Sequence, residues 1–315
     1  MKIIYLGTPE HSAQLLSKII RANFNVAAVI TQPDSPKGRG LKLSPPLVKQ
    51  TALKHNIPVY QPQKLTFQTF NEVLTNIQSE PTIAVVFAFG QILPEDILNL
   101  PTYGFINLHL SLLPRWRGPA PVHWTILAGD KEAGATVQKV AFKVDTGAIL
   151  TAKKIPLDGT ETAGTLLNRL TGIGFDLICD VLSAYEKGTP PQPIHQDESF
   201  TTYAPKLKKT DARINWSNSA QQIERFIRAL NPKPVAFTEL KTKSRTLTVR
   251  IFKSTLTNKS GLVPGKLLYE NRKLLVGTAD FSLELNEVQP ASRRVLSAAE
   301  FAAGYLRPDE EAYFA

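Results

Sequence analysis

Residues 2–20 read KIIYLGTPEHSAQLLSKII. An apolar run stops at Gly7, Thr8-Pro9 turns the chain, and apolar residues then return at helical spacing through Leu15, Leu16 and Ile19. The stretch predicts strand, turn and helix. The same unit recurs downstream. NVAAVIT (25–31) reads as a strand and QPDSPKGRGLKLSPP (32–46) as a loop. LVKQTALKHN (47–56) reads as a helix, IPVYQ (57–61) as a short strand and FQTFNEVLTNIQ (67–78) as a helix. TIAVVFAFG (82–90) and FINLHLS (105–111) are two further strands. Strands alternating with helices predict a parallel, doubly wound, Rossmann-like α/β sheet. The first turn is GTPEHS and not GxGxxG, so the dinucleotide fingerprint is missing.

A long helical pattern at 161–188 closes this first domain, and TPPQPIHQDES (189–199) is Pro-rich and polar, as a linker is. After a helical piece at 219–230, short β runs fill 245–290, which predicts a small antiparallel barrel or sandwich. The expected division is a catalytic domain at 1–189, a linker at 190–208 and a C-terminal domain at 209–315.

Composition narrows the class. The chain has 315 residues, 43% of them hydrophobic, which excludes wholesale disorder. A single cysteine, Cys179, in the apolar run FDLICDVL, excludes a disulfide framework and a Cys-rich zinc site. No run approaches the roughly 20 apolar residues of a membrane span. The first ten residues break too soon for a signal peptide, and a cytoplasmic setting is expected. Lys and Arg number 37 against 27 Asp and Glu, a net charge of +10. Residues 206–253 alone hold 12 basic and 3 acidic residues, a net of +9. Such a surplus favours a polyanion, and by itself it allows DNA, RNA or an anionic membrane surface.

The chemistry lies in GFINLHLSLLPRWRG (104–118) and KVDTGAIL (143–150). Asn107 and His109 are two apart on a predicted strand and so share a face. An apolar strand seldom needs an amide and an imidazole on one side, and the C-terminal ends of parallel strands are where open α/β sheets bind ligands. Asp145-Thr146-Gly147 is a good turn sequence in its own right. It also supplies a carboxylate that could orient an imidazole, while the amide and imidazole donate to a developing oxyanion. No Ser or Cys stands out as a nucleophile, which favours direct transfer. His11, His55, His123 and His195 lack the spacing of a metal site.

The sequence resembles the methionyl-tRNA formyltransferase family, within the folate-dependent formyltransferase superfamily. NLHLSLLPRWRG and the downstream DTG carry the superfamily resemblance. TQPDSPKGRGLKLSPPLVK, YAPKLKKTDARINW, IRALNPKP and QPASRRVLSAAEFAAGYL carry the tRNA-specific one. The resemblance implies transfer of the formyl group of 10-formyltetrahydrofolate to the α-amine of methionyl initiator tRNA, without a metal, by a cytoplasmic monomer that engages no membrane. It implies a catalytic trio of Asn107, His109 and Asp145. It implies folate contacts at Ser111, Leu112, Leu113 and Pro114, and a pocket wall at Phe89, Gly90, Gln91 and Ile92. It implies tRNA contacts at Lys37, Arg39 and Lys42 in a Gly-rich loop, and at Lys206, Lys208 and Lys209. It also implies an OB-like shape for the C-terminal barrel.

Five positions depart from the pattern. Gln138 stands where the family often has Met, and Lys143-Val144 where it often has Gly-Leu. Lys233 and Val235 stand where it often has Trp and Gly. Two other functions stay open at this level: formylation of a sugar nucleotide on the same fold, and an inactive RNA-binding module.

Overall fold

The structure, a computed structural model, describes residues 1–37, 42–78, 81–307 and 310–315. Its first sheet grows from the opening strand. In chain order the elements are β1 (Lys2–Gly7), α1 (Glu10–Arg21), β2 (Val26–Ile30), β3 (Ser35–Lys37), β4 (Lys42–Ser44), α2 (Leu47–Lys54) and β5 (Val59–Tyr60). There follow α3 (Phe67–Ile77), β6 (Thr82–Phe87), β7 (Phe105–His109), α4 (Pro121–Ala128), β8 (Glu132–Lys139), β9 (Ile149–Pro156) and α5 (Ala163–Glu186). The sheet order is β5-β2-β1-β6-β7-β8-β9. β1 runs parallel to β2 and β6, β2 to β5, and β6 to β7, whereas β8 is antiparallel to β7. The chain leaves β1 toward β2 on one side and returns to β6 on the other. That reversal of direction opens a crevice at the C-terminal strand ends.

The reading of the first half as alternating strands and helices is met element by element. β6, TIAVVF, is buried along its whole length, as a strand covered on both faces must be. Ile3, Ile4, Tyr5 and Leu6 are fully buried beside it. Each such aliphatic side chain contributes about 1.5–3 kcal/mol of transfer free energy against the entropy of ordering the chain. The stretch predicted as a plain loop at 32–46 contains the β3–β4 hairpin, in which Lys37 faces Lys42. Its tip, with Arg39, lies outside the described residues.

The chain divides into two compact units. One comprises residues 1–118, 133–155 and 168–203, and the other 119–132, 156–167 and 204–315. In the second unit α6 (Ala220–Ala229) precedes a seven-stranded sheet. Its strands are β10 (Ala236–Lys241), β11 (Thr246–Ser260), β12 (Leu267–Glu270), β13 (Lys273–Gly277), β14 (Phe281–Pro290), β15 (Leu296–Ser297) and, after α7 (Ala298–Tyr305), β16 (Tyr313–Phe314). All their pairings are antiparallel.

This sheet curls. β16 pairs with β10 on one side. On the other, Phe314 N–H donates to the Gly265 carbonyl at 2.8 Å, and Leu267 N–H donates to that of Ala312 at 3.0 Å. Trp216, Ile223, Ile227, Leu240, Leu285 and Phe301 fill the interior. Ser219 caps α6 and Ser297 caps α7, each in a reciprocal capping box.

Candidate active site

β7 carries two polar residues to its C-terminal end. In the antiparallel register with β8, Asn107 faces Gln138 and His109 faces Thr136. Residues opposite one another share a face, so four polar side chains meet on an otherwise apolar sheet. His109, Thr136 and Gln138 are buried, and Asn107 is half-buried. Thr136 holds the exit from the strand. Its hydroxyl donates to the Ser111 carbonyl at 2.7 Å and accepts the Leu113 N–H at 3.3 Å.

The segment after β7 then folds back over the imidazole. The Nε2–H of His109 donates to the Trp116 carbonyl at 2.8 Å. A carbonyl only accepts, so Nε2 carries a hydrogen, and the contact turns Nδ1 toward Asp145. Nδ1 lies 3.5 Å from Asp145 Oδ1, an ion pair once Nδ1 carries a hydrogen too, and longer than a strong hydrogen bond. Asp145 is itself held on both oxygens. Gly118 N–H donates to Oδ2 at 2.8 Å and the Gln138 amide donates to Oδ1 at 3.1 Å.

The backbone here is strained. Trp116 has φ +62° and Asp145 φ +55°, in the left-handed region that side chains with a Cβ rarely adopt. Such outliers persist only where their surroundings over-determine them, and they gather at functional sites. At Gly147, in the turn after Asp145, a Cβ would stand 1.7 Å from the Lys139 carbonyl oxygen, so only glycine fits.

A buried cation lies behind the carboxylate. Arg117 is 2% exposed, and its guanidinium forks onto both Glu198 carboxylate oxygens at 2.8 and 2.9 Å. Two of its N–H groups also donate to Gln196 Oε1, at 3.0 and 2.7 Å. Hydrogen bonds from Arg117 hold the Glu198 carboxyl below the usual carboxylate range, and the same bonds raise Arg117. Gln196 in turn donates to the carbonyls of Asp145 (2.9 Å) and Gly147 (2.7 Å) and to Gln138 Oε1 (3.2 Å). Sequence reading singles out Asn107, His109 and Asp145, and the structure brings His109 and Asp145 together with Asn107 on the same strand face. It does not foresee Arg117, Gln196 or Glu198 at the site. The one available signal is Gln138, flagged as a departure.

The residues expected at the folate site surround the same strand ends in sequence and space. Phe89 and Leu113 are buried, Leu112 and Pro114 half-buried. Ser111 is buried with its hydroxyl donating to the Arg115 carbonyl at 2.6 Å. The Phe89 carbonyl accepts from Thr8 at 2.8 Å and Gln32 at 3.2 Å, which pins the turn through Gly90, φ +87°. Ile92 is 75% exposed beside that turn, an apolar side chain left facing outward. Gln91 points inward, accepting the Leu65 N–H at 2.8 Å.

Of the expected tRNA contacts, Lys206, Lys208 and Lys209 are exposed on the second unit. Lys37 and Lys42 are paired opposite one another in the β3–β4 hairpin. Within the second unit a cavity of about 610 Å³ is lined by Lys206, Lys209, Lys233, Arg250 and His123 over an apolar floor that includes Phe252. Among the described residues no group of three or more His, Cys, Asp or Glu could hold a metal. None of the described helices is long and apolar enough to cross a membrane.

The chain matches known families along most of its length. Residues 1–182 match the family described as Formyl transferase, and residues 206–306 match Formyl transferase, C-terminal domain. The chain is 40% identical to the methionyl-tRNA formyltransferase of Geobacter metallireducens, over 96% of each chain. Among solved structures it resembles WlaRD, a sugar 3N-formyl transferase crystallised with dTDP and 5-N-formyl-THF. The TM-score there is 0.66 at 19% identity, covering 93% of this chain and 99% of that one. It also resembles the methionyl-tRNA formyltransferase from Clostridium thermocellum, with TM-score 0.56 at 20% identity over 82% and 95% of the two chains. At these identities the two structures speak for the fold alone.

Proposed function

The chain belongs to the formyl transferase family, among the methionyl-tRNA formyltransferases, and from that premise we infer how its residues move a formyl group from 10-formyltetrahydrofolate to the α-amine of methionyl initiator tRNA. The observation that carries the reading is the pairing of His109 with Asp145 at the C-terminal end of β7, with Asn107 on the same strand face.

The amine attacks in its neutral form. As it adds to the formyl carbon, charge builds on the carbonyl oxygen, and the Asn107 amide and the His109 Nε2–H donate to that oxygen. In the structure the Trp116 carbonyl occupies the His109 donor, so the imidazole is already turned and needs only to exchange one acceptor for another. Asp145 faces Nδ1, holds the ring, and promotes removal of the amine proton through water; the adduct then collapses with cleavage of the bond between the formyl carbon and the folate N10, which takes up a proton and leaves as tetrahydrofolate. The site residues fit this formyl donor: an amide and an imidazole share one strand face, a carboxylate adjoins the imidazole, and the apolar side chains of Phe89, Leu112 and Leu113 follow the same strand ends. The expected folate contacts are these side chains with Gly90, Ile92, Ser111 and Pro114.

Residues 1–189 serve as the catalytic domain, 190–208 as a linker and 209–315 as an OB-like tRNA-binding domain. The curled antiparallel sheet and the +9 charge of residues 206–253 support that last assignment. Lys206, Lys208 and Lys209 take backbone phosphates, and Lys37, Arg39 and Lys42 take the acceptor stem. The protein acts as a monomer in the cytoplasm, away from membranes.

The test is a formylation assay that compares methionyl initiator tRNA, methionyl elongator tRNA and a 4-amino-sugar nucleotide. Formylation confined to the initiator tRNA is expected. Preferential formylation of the sugar nucleotide would overturn the reading, and activity on none of the three would favour an RNA-binding module.

A further inference from the structure

We propose that Gln196 is a positioning residue for the formyl transfer, and that it acts by deciding which end of the Gln138 amide faces Asp145. The inference rests on the catalytic role given above to Asp145 and His109, and adds the residues that set their geometry.

The argument begins with a guanidinium. Arg117 has five N–H donors and no acceptor. It is 2% exposed, and two of its N–H groups reach the Gln196 side chain, at 3.0 and 2.7 Å. An amide has one acceptor end and one donor end, so Gln196 must present Oε1 to Arg117. Its NH₂ then points the opposite way, where it meets acceptors only: the carbonyls of Asp145 and Gly147 and the Oε1 of Gln138.

The second amide is settled by the first. With Oε1 turned toward Gln196, Gln138 directs its NH₂ at Asp145 Oδ1, 3.1 Å away. The reverse orientation would set Gln138 Oε1 against a carboxylate oxygen and its NH₂ against another NH₂. Both contacts would be repulsive in a site where Gln138 is 2% exposed and water cannot compensate. Oδ1 is also the oxygen nearest His109 Nδ1, at 3.5 Å. Donor direction therefore passes from Glu198 and Arg117, through two amides, to the carboxylate that orients the imidazole. Gln196 has a further hold, because it binds the carbonyls on either side of Thr146 and so fixes the turn that carries Asp145.

The experiment is a double-mutant cycle on steady-state formylation of methionyl initiator tRNA, with Gln138→Leu, Gln196→Ala and the double variant, and with Asp145→Asn in the same series. Gln138→Leu is expected to lower kcat by about tenfold, the effect of one lost hydrogen bond to a charged group, with both KM values little changed. Gln196→Ala should do the same. The double variant should fall well short of the product of the two single effects, because Gln196 works in large part through Gln138. Gln196→Glu keeps the side-chain volume and an acceptor for Arg117 but removes the donor. It is expected to lower kcat, and it replaces Gln196→Ala in the cycle if that variant fails to fold. Long-range ¹H–¹⁵N spectra of His109 should shift in Gln196→Glu as they do in Gln138→Leu.

Multiplying effects in the double variant, or an unchanged His109 spectrum in Gln196→Glu, would overturn the inference while leaving the catalytic reading intact. Full activity in Asp145→Asn would overturn the catalytic reading instead.

Discussion

His109 and Asp145 approach within 3.5 Å, Nδ1 to Oδ1, with 7% and 11% of their side chains exposed. Each is fixed from behind by something other than its partner: His109 by the Trp116 carbonyl, and Asp145 by Gly118 and Gln138. The pair is therefore set in place before any substrate arrives, which removes reorganisation from the catalytic step.

Removing either member should show this. His109→Ala and Asp145→Ala are each expected to lower kcat by about 10²–10⁴-fold, the range for a positioned acid–base or oxyanion group. Single-turnover formylation measures it, and full activity in His109→Ala would refute the mechanism.

The turn beyond Asp145 should be as sensitive as the carboxylate itself. Gly147→Ala places a methyl group on the Lys139 carbonyl, where the contact distance would be 1.7 Å. The chain must shift, at a cost of about 1–3 kcal/mol, and Asp145 shifts with it. Denaturant unfolding and kcat should fall together. An unchanged kcat would mean that the turn does not position the carboxylate.

Charge contacts should separate from chemistry. Arg39→Ala is expected to lower kcat/KM for the tRNA substrate and leave folate binding intact. For the wild type, log K for tRNA should fall linearly with log salt concentration, in proportion to the phosphates contacted. A flat plot would contradict the roles given to Lys206, Lys208 and Lys209.

The Arg117–Glu198 pair predicts a pH signature. Glu198 is held below its ordinary value by hydrogen bonds from Arg117, so it binds protons less readily in the folded chain than in the unfolded one. Its contribution to stability is then complete above the ordinary glutamate pKa of about 4.3 and is lost as pH falls through the lower folded value. Wild type and Glu198→Gln should differ in Tm by a constant amount near neutrality and converge in acid. A gap that does not narrow as the solution is acidified would show that the ionised pair is not its source.

The polar pair on β7 and the turn that carries Asp145 were legible because their signals are local. Asn107 and His109 interrupt an apolar strand at period two, and Asp145 sits in a recognisable turn. The alternation from β1 to β7 was legible for the same reason, since burial on both faces leaves a continuous apolar run in the sequence. Gln196 was not legible. It lies in TPPQPIHQDES, whose proline and polar content reads as a connector, and its meaning comes from partners 49 to 79 residues away. Arg117 was not legible either. Nothing in its neighbours announces burial, because the carboxylate that offsets it is far along the chain. The placement of α4 with the second unit was hidden likewise, since its packing on α6 leaves no periodic mark distinct from any other helix.

Two residues near the end of the chain govern how the second unit comes apart. Tyr313 and Phe314 are paired with Leu240 and Lys241 on one side and stitched to the Gly265–Leu267 backbone on the other. A strand held on both sides works as a keystone. While it is seated, neither flanking strand can fray into solvent, so local opening is suppressed and the lowest route to exposure is collective. Amides across β10 to β14 should then exchange as one block, with protection set by that single short strand and not by each strand's own length.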